Sequence, residues 1–412
     1  CGVSSCKECK PQPTLVAMGQ IFSTAMCLPL AVRGVKPTID TLHTLYPRIE
    51  CQSRECATCS GGLLPTCKKL VASKKLIPTQ EYGYEPKVAK GGKKYMFLAL
   101  ESKQVPTRDF LQTLTSDLPR VTLHHYQSLW NDTMYTHVGD VVPPGWLVCR
   151  IDYPERQEKK ARATVSQQEY HKEKLLLLVL TMSFRVAGSG VKHTASVYVG
   201  EGSLDKGAST FQPAIREAVA WAQAKTGVST VLFISDRASQ EFSNVTNLMF
   251  LTTLPTLFPG LLFLWAFETP GHGKGVCDGL GAAIKLMIEN WMIQQGRSPT
   301  VPEVVAFLWK HTKGVPVRGK YAKYKEYRFK EMAVPTSTGP SPVFQTITDT
   351  KKFYLYRGTG TVGVLSRRSL PCFCSRCVAQ ACKGCEGCAN TPYCGEWKEY
   401  TIKPKSSQSS QQ

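Results

Sequence analysis

Residues 231–245 read VLFISDRASQEFSNV, residues 261–270 read LLFLWAFETP, and residues 271–285 read GHGKGVCDGLGAAIK. Two apolar runs of this length, each bounded by a polar turn that opens a helix, read as strands covered on both faces. Asp236 ends the first run and Asp278 opens the helix after the second. Open α/β sheets place their chemistry at such strand ends. Two carboxylates held on neighbouring strand ends can share divalent cations, because Mg²⁺ and Mn²⁺ prefer hard oxygen ligands and keep waters for a reacting phosphate.

A third acid lies upstream. WLVCRIDYPE (146–155) offers Asp152 at the end of another short strand, with Glu155 close behind. KLLLLVLTMSF (174–184) and VKHTASVYVG (191–200) follow as two further strand candidates. STFQPAIREAVAWAQAKTG (209–227) then reads as an amphipathic helix closed by Gly227. An acid on the first strand, one after a later strand and one on the helix following the next strand is the ribonuclease H-like arrangement. The predicted fold class is therefore α/β, a ribonuclease H-like mixed sheet flanked by helices. Two alternatives stand beside the triad: Asp236 as a helix cap, and Glu289 as third acid, about 16 Å further along the helix if Asp278 is merely a cap.

The blocks D-Y-x-E at 152–155, S-D-x-A-S-Q-x-F-x-N at 235–244 and H-G-K-G-x-x-D-G-x-G at 272–281 resemble the catalytic blocks of a group of eukaryotic DNA-transposon-derived proteins. That group is similar to the DDE/D transposases and integrases. The resemblance spans roughly Cys51 to the C-terminal cysteines. Members usually read D-F-A-E-N-Y at the first block; Pro154 and Arg156 stand here in place of the Ala and Asn. The resemblance implies phosphodiester cleavage and strand transfer on DNA in the nucleus, with Asp152, Asp236 and Asp278 holding two Mg²⁺ or Mn²⁺ ions. One rival is a domesticated, catalytically inactive DNA-binding or chromatin protein; another is a nuclease without strand transfer.

Around the acids, His272 lies in a glycine-rich loop from which an imidazole can shuttle protons; a structural histidine is the alternative. Lys274, Asn244 and Lys285 are the expected substrate-binding residues. His124 and His125 read as packed or solvated histidines.

Composition agrees with a polyanionic partner. The 412 residues carry a formal net charge of +20, and each phosphate neutralised by such a surface releases counterions. A basic protein kept soluble by its charge is the plainer explanation. DNA is the expected partner, with a homo-oligomer allowed and no membrane, since no apolar run reaches the ~18 residues of a span.

The 17 cysteines cluster. Residues 1–70 form a cysteine-rich segment in which Cys51, Cys56, Cys59 and Cys67 suit a zinc knuckle, the alternative being free thiols. Cys6 and Cys9 supply another half-site. Residues 71–145 read as a basic linker and a helical segment, 146–315 as the catalytic core, and 316–365 as a basic aromatic segment suited to a nucleic-acid groove or an edge strand. Residues 366–400 hold Cys372, Cys374, Cys377, Cys382, Cys385, Cys388 and Cys394, expected to bind one or two structural zinc ions. Residues 401–412 form a polar tail.

Overall fold

The computed structural model describes residues 76–88, 94–158, 174–186, 190–270, 275–295, 297–312, 323–324, 326–333, 343–379, 388 and 390–405. The chain divides into two units, residues 1–133 and 134–412.

In the first unit, β1 (Leu76–Val88) and β2 (Lys94–Pro106) form an antiparallel pair whose register runs from Leu76 opposite Pro106 to Val88 opposite Lys94. Period-two patterning in the sequence, with Tyr82 and Tyr84 in one strand and Tyr95 and Phe97 in the other, matches a strand and not a linker. This corrects the reading of residues 76–106 as a basic linker. β2 passes directly into α1 (Thr107–Val141), a helix that begins in the first unit and ends in the second. His124 is buried on it, in keeping with a packed histidine.

The second unit is built on a ten-stranded mixed sheet. Its centre consists of β3 (Trp146–Asp152), β5 (Lys174–Val186), β6 (Gly190–Glu201), β7 (Thr230–Ser235) and β8 (Leu262–Phe267). Across the sheet they run β8-β7-β3-β5-β6. β3, β7 and β8 are mutually parallel, whereas β5 is antiparallel to both β3 and β6. The short β4 (Gln157–Glu158) pairs with β5. Beyond β8 the sheet is extended by β10 (Leu355–Gly358), β11 (Val364–Arg368) and β12 (Lys398–Thr401), each antiparallel to its neighbour.

The other edge is β9 (Glu326–Glu331), parallel to β6. Tyr324, Tyr327 and Phe329 are buried in the core there, and the Tyr327 and Phe329 rings stack at 6.0 Å. The basic aromatic segment is thus an edge strand over these residues and not an open groove, because its aromatic side chains are consumed by packing.

Helices cover both faces, which is why the central strands are continuous apolar runs. α2 (Ala208–Thr226) and α3 (Val245–Leu257) pack on one face, against Leu147, Cys149, Ile151, Phe233 and Trp265. α4 (Val276–Gln295) and α5 (Val301–Thr312) cover the other, against Leu175, Leu177, Val179 and Val197. β5 displays the alternation plainly: Leu176, Leu178 and Leu180 face the first layer, Leu175, Leu177 and Val179 the second. α2 ends, as its sequence predicts, on Gly227 in the left-handed region at φ 60°.

α3 starts at Asn244, whose side-chain oxygen accepts from the Asn247 amide at 2.9 Å. We expect Asn244→Ala to cost about 1 kcal/mol of stability and Asn244→Ser almost nothing, read as the shift in urea midpoint at unchanged m-value. Equal loss in both variants would assign the residue a role other than the cap.

Candidate active site

The site is a consequence of strand register. Ile151 lies opposite Ser235, and Ser235 opposite Phe267. Asp152, Asp236 and Glu268 occupy the next level at the same end of β3, β7 and β8. Side chains alternate between faces along a strand. Because Ile151 and Phe267 pack beneath α2 and α3, the residues after them turn to the face covered by α4. Three carboxylates therefore stand on adjacent strands, and Asp278 joins them from α4. Together with Arg150 and Cys277 they line one small cavity.

Each acid has its own anchor. Asp236 Oδ1 accepts from the Ala238 amide at 3.1 Å, a local turn and not a helix cap; the cap of the following helix is Asn244. Asp278 lies in the first turn of α4, and its Oδ2 accepts from the Gly275 amide at 2.9 Å. This is the reaching-back half of a capping box, so Asp278 serves the helix and the cavity at once. The Glu268 backbone amide donates to Ser235 O at 2.8 Å.

α4 is clasped to the chain around Asp152. Cys277 Sγ donates to Arg150 O at 3.3 Å, and Lys285 Nζ donates to Glu155 O at 3.1 Å. A Cβ at Gly281 would overlap the Pro154 ring, so the absence of a side chain there lets the helix approach. Arg156 donates from Nη2 to Leu204 O at 3.0 Å.

Crowding like charges in a half-buried cavity favours protonation. Burial pushes the Asp152 carboxyl up to about 8, helped by the charge of Asp278, a hydrogen bond with it, and the charge of Asp236. Burial also raises Asp236, opposed by its bond from the Ala238 amide. Among the described residues lining the cavity, Arg150 brings a positive charge to these groups: its Nη1 lies 3.4 Å from Glu268 Oε1, while its Nη2 donates to Tyr135 O at 3.0 Å. The Tyr135 hydroxyl in turn donates to Phe267 O at 2.7 Å.

A second constellation lies in the connection between β11 and β12, which includes α6 (Ser375–Ala379) and α7 (Thr391–Cys394). The sulfurs of Cys372, Cys374, Cys377 and Cys388 all lie within 4.8 Å of one another. Cys388 Sγ is 3.8 Å from Cys372 Sγ and 3.6 Å from each of the other two. Four thiolates at Zn–S bonds of about 2.3 Å would be spaced about 3.8 Å apart, whereas a disulfide closes to about 2.05 Å. The quartet can hold a metal ion such as zinc. Asn390 Nδ2 donates to Cys372 Sγ at 3.4 Å, the kind of outer contact that orients a ligand. Cys394 stands outside the quartet and donates to Asn390 O at 2.7 Å.

Of the residues expected from sequence, Asp152, Asp236 and Asp278 come together. Asn244 is engaged as a cap and Lys285 as a clasp. His272, Lys274, Cys51, Cys56, Cys59, Cys67, Cys382 and Cys385 lie outside the described residues, as do Lys159, Lys160, Arg162 and Lys172 of the charged excursion after Asp152. Glu268 and Arg150 were missed. Glu268 repeats the signal that marked Asp236, an acid directly after an apolar run; Arg150 carries none, being one charge inside a strand. Among the described residues no helix is long and apolar enough to cross a membrane. Residues 134–350, just over half of the chain, match a domain of unknown function, DUF8701, and a search of curated proteins finds no match.

Two outcomes follow from this geometry. With the Asp152 carboxyl raised from 3.8 to about 8, the folded state holds more protons than the unfolded one across that interval, so stability should fall as pH rises through it. Thermal melts of metal-free protein from pH 4 to pH 8 should show that slope, and Asp152→Asn should flatten it and raise the melting temperature at pH 8; an unchanged slope would refute the assignment. For the quartet, elemental analysis should show one equivalent of zinc fewer in Cys388→Ala than in the parent, whereas Cys394→Ala should keep it.

Proposed function

We propose a function for this chain, which belongs to the DUF8701 family, from its acidic cavity: the second unit has a ribonuclease H-like core and cleaves and joins DNA strands with divalent cations held by Asp152, Asp236 and Asp278. One observation carries the reading, the convergence of these three aspartates from the ends of β3 and β7 and from the first turn of α4. The supporting topology is a central sheet in which β3 comes first in the chain, β5 and β6 lie to one side of it, and parallel β7 and β8 lie to the other. The third acid stands on the helix after β8, as in the arrangement that the sequence blocks resemble.

The donor set fits Mg²⁺ or Mn²⁺, being made of hard oxygens, one of whose carboxyls is driven toward its neutral form by burial and by the neighbouring acids. When bound, two such ions would activate an attacking water or 3′-hydroxyl and stabilise the leaving oxygen. The chain's own part is to hold the carboxylates still. The Ala238 amide orients Asp236 and the Gly275 amide orients Asp278. Arg150 adds a fixed positive charge at the cavity wall. His272 is proposed to carry protons and Lys274 to contact a substrate phosphate. The net charge of +20 favours DNA in general and without sequence preference. A nuclear location follows from such a substrate. The cysteine quartet is proposed as a structural zinc site.

The rival reading, a DNA-binding relic, draws on Pro154 and Arg156. Both are absorbed into the fold, Pro154 against Gly281 and Arg156 on Leu204 O, and neither displaces an acid from the cavity. Asp236→Asn provides the test, since the amide oxygen can still accept from Ala238. We expect it to reduce Mg²⁺- or Mn²⁺-dependent DNA cleavage to background while salt-sensitive DNA binding stays at the parent level. If the parent protein binds DNA and cleaves none with either ion across varied DNA ends, the relic reading replaces this one.

A further inference from the structure

We infer that Glu268 is a fourth carboxylate of the divalent-cation site, and that Arg150 is the counter-charge it releases when cations enter. The inference rests on the proposed cation site and extends it to two residues that no sequence block contains.

Glu268 occupies the same level of the sheet as Asp152 and Asp236, on the next parallel strand, and lines the same cavity. Its side chain and that of Arg150 are 17% and 21% exposed, dry enough for either charge to need a partner. Arg150 supplies one, but loosely. Its 3.4 Å approach to Glu268 is longer than the ~2.7–2.9 Å of a tight charge-assisted bond, and a single guanidinium nitrogen makes it. The other terminal nitrogen stays on Tyr135 O, so this one contact of Glu268 can open without the arginine leaving the wall.

Charge balance gives the exchange a direction. Three aspartates leave two divalent ions with an excess of one positive charge; Glu268 completes the neutralisation. The guanidinium set free then faces the same cavity, where a phosphodiester brings one negative charge. A structural ion pair would need neither the shared cavity nor the common level with the aspartates.

The experiment is a Mn²⁺ titration of the full chain, followed calorimetrically and by electron paramagnetic resonance. Glu268→Gln should weaken Mn²⁺ binding tenfold or more. Arg150→Gln should leave it equal or tighter, because a competing cation is gone. A structural pair would predict the same loss in both. Parent-level binding in Glu268→Gln, or equal weakening in the two variants, would overturn the inference. If Arg150→Gln does not fold, the Glu268→Gln titration decides alone. Asp236→Asn separates the two levels: Mn²⁺ binding that is absent or insensitive to Asp236→Asn removes the cation site itself. Binding sensitive to Asp236→Asn and indifferent to Glu268→Gln removes only the fourth ligand.

Discussion

The acidic cavity depends on the register of β3, β7 and β8. A slip of one residue in any of them would send its acid into the layer beneath α2 and α3. That register is pinned at both ends. Where the strands begin, the Ser229 and Thr230 amides donate to Gly145 O at 2.8 and 3.1 Å, and the Leu262 amide donates to Ser229 O at 2.9 Å. Near the acids, Trp265 Nε1 donates to Ser235 Oγ at 3.0 Å. Between them both faces are filled, so every alternative register would bury a polar group or expose apolar ones.

The same burial makes the site costly to the fold. Four carboxylates in one cavity repel each other, and the chain offsets this in three ways. Backbone amides at Ala238 and Gly275 meet two of them, Arg150 accompanies a third, and a proton is favoured on Asp152. α4 must approach against that repulsion. Its Cys277, Gly281 and Lys285 each meet the segment from Arg150 to Glu155, which holds Asp278 beside Asp152.

Segments distant in sequence complete the support. Arg237, next to Asp236, donates to Lys351 O at 2.8 Å and to Phe353 O, and stacks on the Tyr354 ring at 3.8 Å. The Phe267 amide donates to Tyr354 O at 2.8 Å. The C-terminal extension thus grips the residues beside Asp236 and Glu268. Its cysteine quartet is joined to this support through Phe373, which packs on Trp146 at 6.2 Å and on Tyr135 at 6.4 Å. Tyr135 is the residue that holds Arg150 and the end of β8.

The sequence by itself determined the mixed α/β class, the central strands and their helices, and the aspartates, because strands buried on both faces must be uninterrupted apolar runs and their first acid marks where burial ends. It pointed equally to a gathering of C-terminal cysteines, four of which could hold a metal ion, since C-x-x-C spacing closes on one turn. Tertiary structure decided what spacing along a chain does not encode. Among the described cysteines it brought Cys388 to Cys372, Cys374 and Cys377 and left Cys394 outside the quartet, because sulfur spacing depends on how the β11–β12 connection folds back. It turned Asn244 into a cap and Tyr327 and Phe329 into core, since a polar or aromatic residue is assigned by what packs over it. Residues 76–106 became a hairpin because antiparallel pairing satisfies backbone groups that lysine and glycine content says nothing about. Glu268 and Arg150 came together only when three parallel strands were brought into step, a relation between positions 118 residues apart that no local pattern records.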